Sequence, residues 1–102
     1  MSDHAQVIRV LVLRPAAGKR AELVKVCEEA AERARKLEGN FGVQVCDVRE
    51  DPGDVCVISR WADASGAERM QKLNQEYRPQ FEPLLGGAPR LYHLTPIQEA
   101  AG

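Results

Sequence analysis

The chain has few of the residues that commonly brace or equip a small domain chemically. Its 102 residues include three cysteines, Cys27, Cys46 and Cys56, with no Cys-x-x-Cys spacing. An odd count without that spacing argues against a disulfide scaffold or a zinc site, and for reduced thiols in a cytoplasm. Cys46 and Cys56 fall on strands expected to be neighbours, where two small apolar side chains are a commoner outcome than a bridge. Charge of one sign is also missing. Fourteen Lys and Arg face fifteen Asp and Glu for a net charge of −1, with the signs mixed along the chain. No basic cluster marks a nucleic-acid surface. No apolar run is long enough to span a bilayer, and Met-Ser-Asp-His-Ala-Gln lacks a signal-peptide pattern. Gly-x-Gly-x-x-Gly, Walker, Gly-x-Ser-x-Gly and clustered His/carboxylate motifs are absent too, so no cofactor or metal is expected.

What is present is a pattern of alternating elements. Apolar residues make up 44% of the chain, enough for one small core. Residues 6–14 read as a first strand that Pro15 stops. Val7, Leu11 and Leu13 point to one side of it and Ile8, Val10 and Val12 to the other, so both faces need cover. Arg9 alone interrupts the run. A helix is predicted over 19–38, with Leu23, Cys27, Ala30, Ala34 and Leu37 on one face, Val24 and Ala31 widening it, and Gly39 as the stop.

A second strand is predicted over 41–50, with Phe41, Val43 and Val45 on one side and Gln44, Cys46 and Val48 on the other. The turn Asp51-Pro52-Gly53-Asp54 leads to a third strand over 55–61, making a hairpin. A second helix starts near Asp63, through a capping box at Ser65-Gly66-Ala67-Glu68 or through Asp63 itself. Its stripe is Ala67, Met70, Leu73 and Tyr77, and Pro79 is expected to end or kink it. Phe81, Leu84 and Leu85 suit a further short turn, Gly86-Gly87 breaks the chain, and a last strand covers 89–95.

The order strand–helix–strand–strand–helix–strand gives a ferredoxin-like α+β fold: a four-stranded antiparallel sheet with both helices on one face. The bare face is too apolar for water, so two sheets should pack together in a homodimer.

Three segments carry a family resemblance: the apolar first strand ending in Arg14-Pro15; Leu37-Glu38-Gly39-Asn40-Phe41-Gly42-Val43-Gln44-Val45; and Val57-Ile58-Ser59-Arg60-Trp61-Ala62-Asp63-Ala64. In order and spacing they resemble the antibiotic biosynthesis monooxygenase superfamily, the dimeric α+β barrels. The resemblance spans roughly residues 6–95 of a single domain covering 1–102. It implies a homodimer with a pocket between helices and sheet in each subunit. Some members oxidise polycyclic aromatic or quinol substrates with dioxygen and no bound cofactor; others degrade haem, isomerise small metabolites or have no known activity. The haem-degrading branch carries an Asn in strand one and a Trp and a His on the second helix. The corresponding positions here are Arg9, Met70 and roughly Gln80, so haem degradation is disfavoured.

Cofactor-free oxygenation needs a phenolate- or enolate-forming aromatic substrate, a group to take or hold its proton, and donors for the developing anion. Arg9 is a candidate because a lone Arg in an apolar strand must find an anion, and a salt bridge is an equal alternative. Trp61 can serve as a flat wall or N–H donor, or simply as core. His93, on the strand expected beside the first, is a candidate base. Gln44, Met70, Tyr77, Phe81 and Tyr92 are candidate substrate-binding residues, each with ordinary packing as the alternative. Arg60 is expected to face the dimer side in an ion pair. The alternatives to oxygenation are a non-catalytic ligand-binding or stress-related barrel and an isomerase.

Overall fold

The computed structural model describes residues 7–98. The elements are β1 (Val7–Leu13), α1 (Arg20–Ala34), β2 (Asn40–Asp47), β3 (Val55–Trp61), α2 (Ala64–Phe81), a 3₁₀ turn (Glu82–Leu84) and β4 (Arg90–Leu94). The four strands form one antiparallel sheet in the order β2-β3-β1-β4. The fold is the expected ferredoxin-like α+β arrangement. β1 is central because its apolar residues on both faces suit a strand flanked on either side.

The helix-facing side of the sheet carries Leu11 and Leu13 from β1, Val43 from β2, and Val55, Val57 and Trp61 from β3, all buried. They pack against Leu23, Cys27, Ala30, Ala31 and Ala34 of α1 and Ala67, Met70, Leu73 and Tyr77 of α2. Each helix thus buries its predicted stripe.

Three local expectations change, and one of two caps offered for α2 forms. The α1 helix ends at Ala34 instead of running to Glu38. Beyond it the N–H groups of Lys36 and Leu37 donate to the carbonyls of Arg33 and Ala34, so the chain tightens into i→i−3 turns before Gly39, at φ +83°, redirects it into β2. A bulge then sets Asn40 and Gly42 against Trp61 and Arg60, leaving Phe41 without an opposite residue and 46% exposed, not aligned with Val43 and Val45. The α2 cap is Asp63, whose carboxylate accepts from the Gly66 N–H at 3.2 Å, so the Ser65 capping box does not form. Finally, α2 continues through Pro79. Gln75 and Pro79 are both exposed, so water can serve the carbonyl that the missing N–H leaves free.

Candidate functional site

The second half of α2 carries a row of uncharged polar residues beside its apolar stripe: Gln71, Asn74 and Gln75, then Arg78. Three- and four-residue steps stack them on one side of the helix, over the β1–β4 edge of the sheet. After the 3₁₀ turn the chain folds back onto the end of β1. Ala16 N–H donates to the Leu84 carbonyl at 2.8 Å and Gly86 N–H to the Arg14 carbonyl at 2.7 Å. A Cβ at position 86 would lie 2.9 Å from the Pro15 carbonyl oxygen, so only glycine lets the two backbones meet this closely. Between α2, this returning loop and the sheet lies a cavity of about 540 Å³, whose walls include Arg9, Leu11, Asn74, Phe81, Leu85 and Leu91.

Arg9 is its central charged group. It is 2% exposed, and no carboxylate among the described residues pairs with it. Its Nη2 donates to Gln71 Oε1 at 2.8 Å. With the Asn74 amide oriented oxygen-inward, Asn74 accepts from Nη1 at 2.7 Å and Nη2 at 3.1 Å. The Nε–H is buried and has no partner. Burial lowers the guanidinium pKa to about 10, so the group stays charged at neutral pH, held by the amide dipoles of Gln71 and Asn74. Asp54 shows the contrast. It is buried at the other end of the β1–β3 pair, next to Val55, accepting from Arg14 Nε at 3.2 Å and Arg90 Nη2 at 3.5 Å in a hollow that shares Gly87 and Ala88 with the cavity. The acid serves two exposed arginines.

The other expected site residues divide. Phe81 lines the cavity. Met70 and Tyr77 sit deeper, around a void of only about 20 Å³, so they fill the space between helices and sheet where a pocket was expected. Arg33 stacks over the Tyr77 ring at 5.6 Å. Trp61 is fully buried; its indole N–H donates to Ser59 Oγ at 2.9 Å, and its ring packs against Gly66. It is a core residue whose donor is already committed. His93 lies directly opposite Arg9 across the β1–β4 pair but is exposed and outside the cavity lining. Gln44 and Tyr92 are not in the cavity lining. They pair in register with Ile58 and Val10 on the face away from the helices, because strand alternation gives them the opposite parity to Arg9. Arg60 shares that outer face, exposed and without an ion pair among the described residues. The expectation missed Gln71, Asn74 and Arg78; the signal was the amide row bordering the α2 stripe.

The sequence profile of the family described as "Antibiotic biosynthesis monooxygenase" matches residues 6–77. The chain belongs to the antibiotic biosynthesis monooxygenase family. No curated protein matches it. Among solved structures, Rv0793 from Mycobacterium tuberculosis superposes with a TM-score of 0.83 at 18% identity, covering 93% of this chain and 98% of its own. PA3566 from Pseudomonas aeruginosa gives 0.80 at 17% identity, over 96% of this chain and 100% of its own. NE2512, a Nitrosomonas europaea protein of unknown function, gives 0.83 at 14% identity, over 99% and 98%. These likenesses establish that this member of the family has its relatives' fold; at such identities they do not carry a reaction across. Among the described residues no helix is long and apolar enough to cross a membrane, and no cluster of His, Cys, Asp or Glu could hold a metal ion.

Proposed function

We propose that the chain is a cofactor-independent monooxygenase that oxidises an aromatic or quinol-like small molecule with dioxygen, acting as a homodimer with the Arg9 cavity as its active site. The observation that carries this reading is a buried guanidinium that meets no carboxylate among the described residues, at the wall of a ligand-sized cavity. An ionised phenol or enol can pass an electron to dioxygen, and Arg9 supplies the fixed positive charge that holds such an anion. In the full reaction one oxygen atom enters the substrate and the other leaves as water, and the substrate provides all four electrons. The apolar walls, Leu11, Phe81, Leu85 and Leu91, suit a flat ring system.

The test is dioxygen uptake by the pure protein across a panel of quinols and anthrones. Turnover that falls by about 10²-fold in Arg9→Met is the expected result, the usual scale for removing one anion-stabilising donor. No uptake with any member of the panel would count against oxygenation.

One observation favours a second reading, a barrel that binds a ligand without converting it. The Trp61 N–H is committed to Ser59, and His93 stands off the cavity lining. Tight binding of a quinol with no dioxygen uptake would mark that outcome.

A further inference from the structure

On the face of the sheet away from the cavity, the fold brings two nucleophilic side chains together. Strands β2 and β3 run antiparallel with Cys46 directly opposite Cys56, and the same row continues to Val12 of β1 and Arg90 of β4. The register is regular here, since the bulge lies at the other end of the hairpin, between Asn40 and Gly42. Directly opposite residues of an antiparallel pair hold their Cα atoms about 4.5–5.5 Å apart, inside the window of about 4.4–6.8 Å that a disulfide accepts. Their Cβ atoms stand about 4.5–5.5 Å apart, against about 3.5–4.5 Å in a disulfide. Closure therefore draws the strands together by roughly 1 Å or less, the kind of strain that leaves a bridge easy to reduce again.

Both thiols are free, and their surroundings differ. Cys56 is buried, and burial, then the neighbouring Cys46, raises its pKa above the ordinary thiol value. Cys46, on the edge strand, is only partly buried. Cys46 is thus the sulfur a reagent reaches first, and Cys56 the one behind it. Cys27 supplies the contrast, because it lies in the helix-facing core with no second cysteine beside it.

We infer that Cys46 and Cys56 form a dithiol site for small disulfides, a reversible thiol–disulfide switch that clamps β2 onto β3. The Cys46 thiolate attacks a disulfide such as oxidised glutathione, forms a mixed disulfide and releases one glutathione thiol. Cys56 then loses its proton, and its sulfur displaces the second glutathione from Cys46. Two protein thiols give up two electrons and two protons, and one small disulfide becomes two thiols. The inference is independent of the Arg9 reading, since the pair and the cavity lie on opposite faces of the sheet. In the homodimer proposed above this face is the contact, so the reagent enters when the subunits part.

The experiment holds the reduced wild-type chain, native or unfolded in urea, at fixed reduced glutathione and rising oxidised glutathione under nitrogen. Each mixture is left until its composition is constant, quenched in acid and weighed by mass spectrometry. The native chain is expected to lose about 2 Da, two hydrogens, at about tenfold less oxidised glutathione than the unfolded chain, because the register has already brought the sulfurs together. Trypsin cuts after Arg49, between the two cysteines, so the bond appears as residues 37–49 joined to 50–60. Excess reduced glutathione should separate them. A native chain that stays reduced overturns the inference. So does one that stops at the Cys46–glutathione mixed disulfide, one whose bond joins two chains or involves Cys27, and one that closes no more readily than the unfolded chain. Every arm uses the wild-type protein, so no variant has to fold.

Discussion

At the scale of single residues, Arg9 and Cys27 show how one buried group can be read from its surroundings. Arg9 was visible in the sequence as the one charge in an apolar strand. The structure gives it two amide partners, Gln71 and Asn74, and no carboxylate among the described residues. No spacing rule reports that pairing, because Arg9 and its partners come from distant parts of the chain. Cys27, on the inner stripe of α1, is buried, and its pKa is pushed up to about 11 from 9.0, first by burial and then by Glu28. The folded state therefore holds the thiol proton more tightly than the unfolded chain. That contribution is complete below about pH 9 and is lost as the pH rises toward 11. Urea titrations across this range should show wild-type stability falling by about 2 kcal/mol more than that of Cys27→Ala. Parallel losses in the two proteins would show that Cys27 is not responsible.

At the scale of elements, hydrophobic periodicity read the hairpin, both helices and their buried faces. It misread where the helices stop. The α2 stripe was plain in Ala67, Met70, Leu73 and Tyr77, yet the helix runs past Pro79, and α1 stops at Ala34, short of Glu38. Those ends depend on which carbonyls and N–H groups can reach water, a property of the packed chain. The join between β3 and α2 is especially demanding. A Cβ at position 66 would lie 2.6 Å from Trp61 Cε3, and the ring is fully buried with its N–H tied to Ser59. Gly66→Ala should therefore destabilise by about 1–3 kcal/mol through overpacking, despite the better helix propensity of alanine. A thermal melt checks this, and an unchanged or raised Tm would show that the indole can move aside.

At the scale of the whole molecule, the outer face of the sheet presents Ile8, Val10 and Val12 of β1, Ile58 and Cys56 of β3, Cys46 of β2 and the edge residues Tyr92 and Leu94. In the single chain Tyr92 is 49% and Leu94 47% exposed. Such a contiguous apolar face on a small domain calls for a partner surface. Light scattering should find a dimer at micromolar concentration, and Val10→Glu, at the middle of that face, should shift it to monomer by placing a charge in the contact. A wild-type monomer would sink the homodimer proposal. The directly paired Cys46 and Cys56 share this face, and both thiols are free. Cys46, the less buried of the two, is expected to react with a thiol reagent faster in the Val10→Glu monomer than in the wild-type dimer.

The sequence by itself determined the order of elements, the two-faced central strand, the helix stripes and the family, because each rests on local periodicity or on short segments in a set order. It also singled out Arg9 and Phe81, one as a charge out of place and the other as an apolar residue beyond the helix-two stripe. Only the tertiary structure decided that Trp61, Met70 and Tyr77 are core, that Gln44 and Tyr92 face outward, and that Gln71 and Asn74 hold Arg9 beside the cavity. The physical reason is that a side chain's role depends on the partner it finds across the fold. The Trp61 donor is satisfied by Ser59, while Arg9 finds the amides of Gln71 and Asn74 and no carboxylate among the described residues.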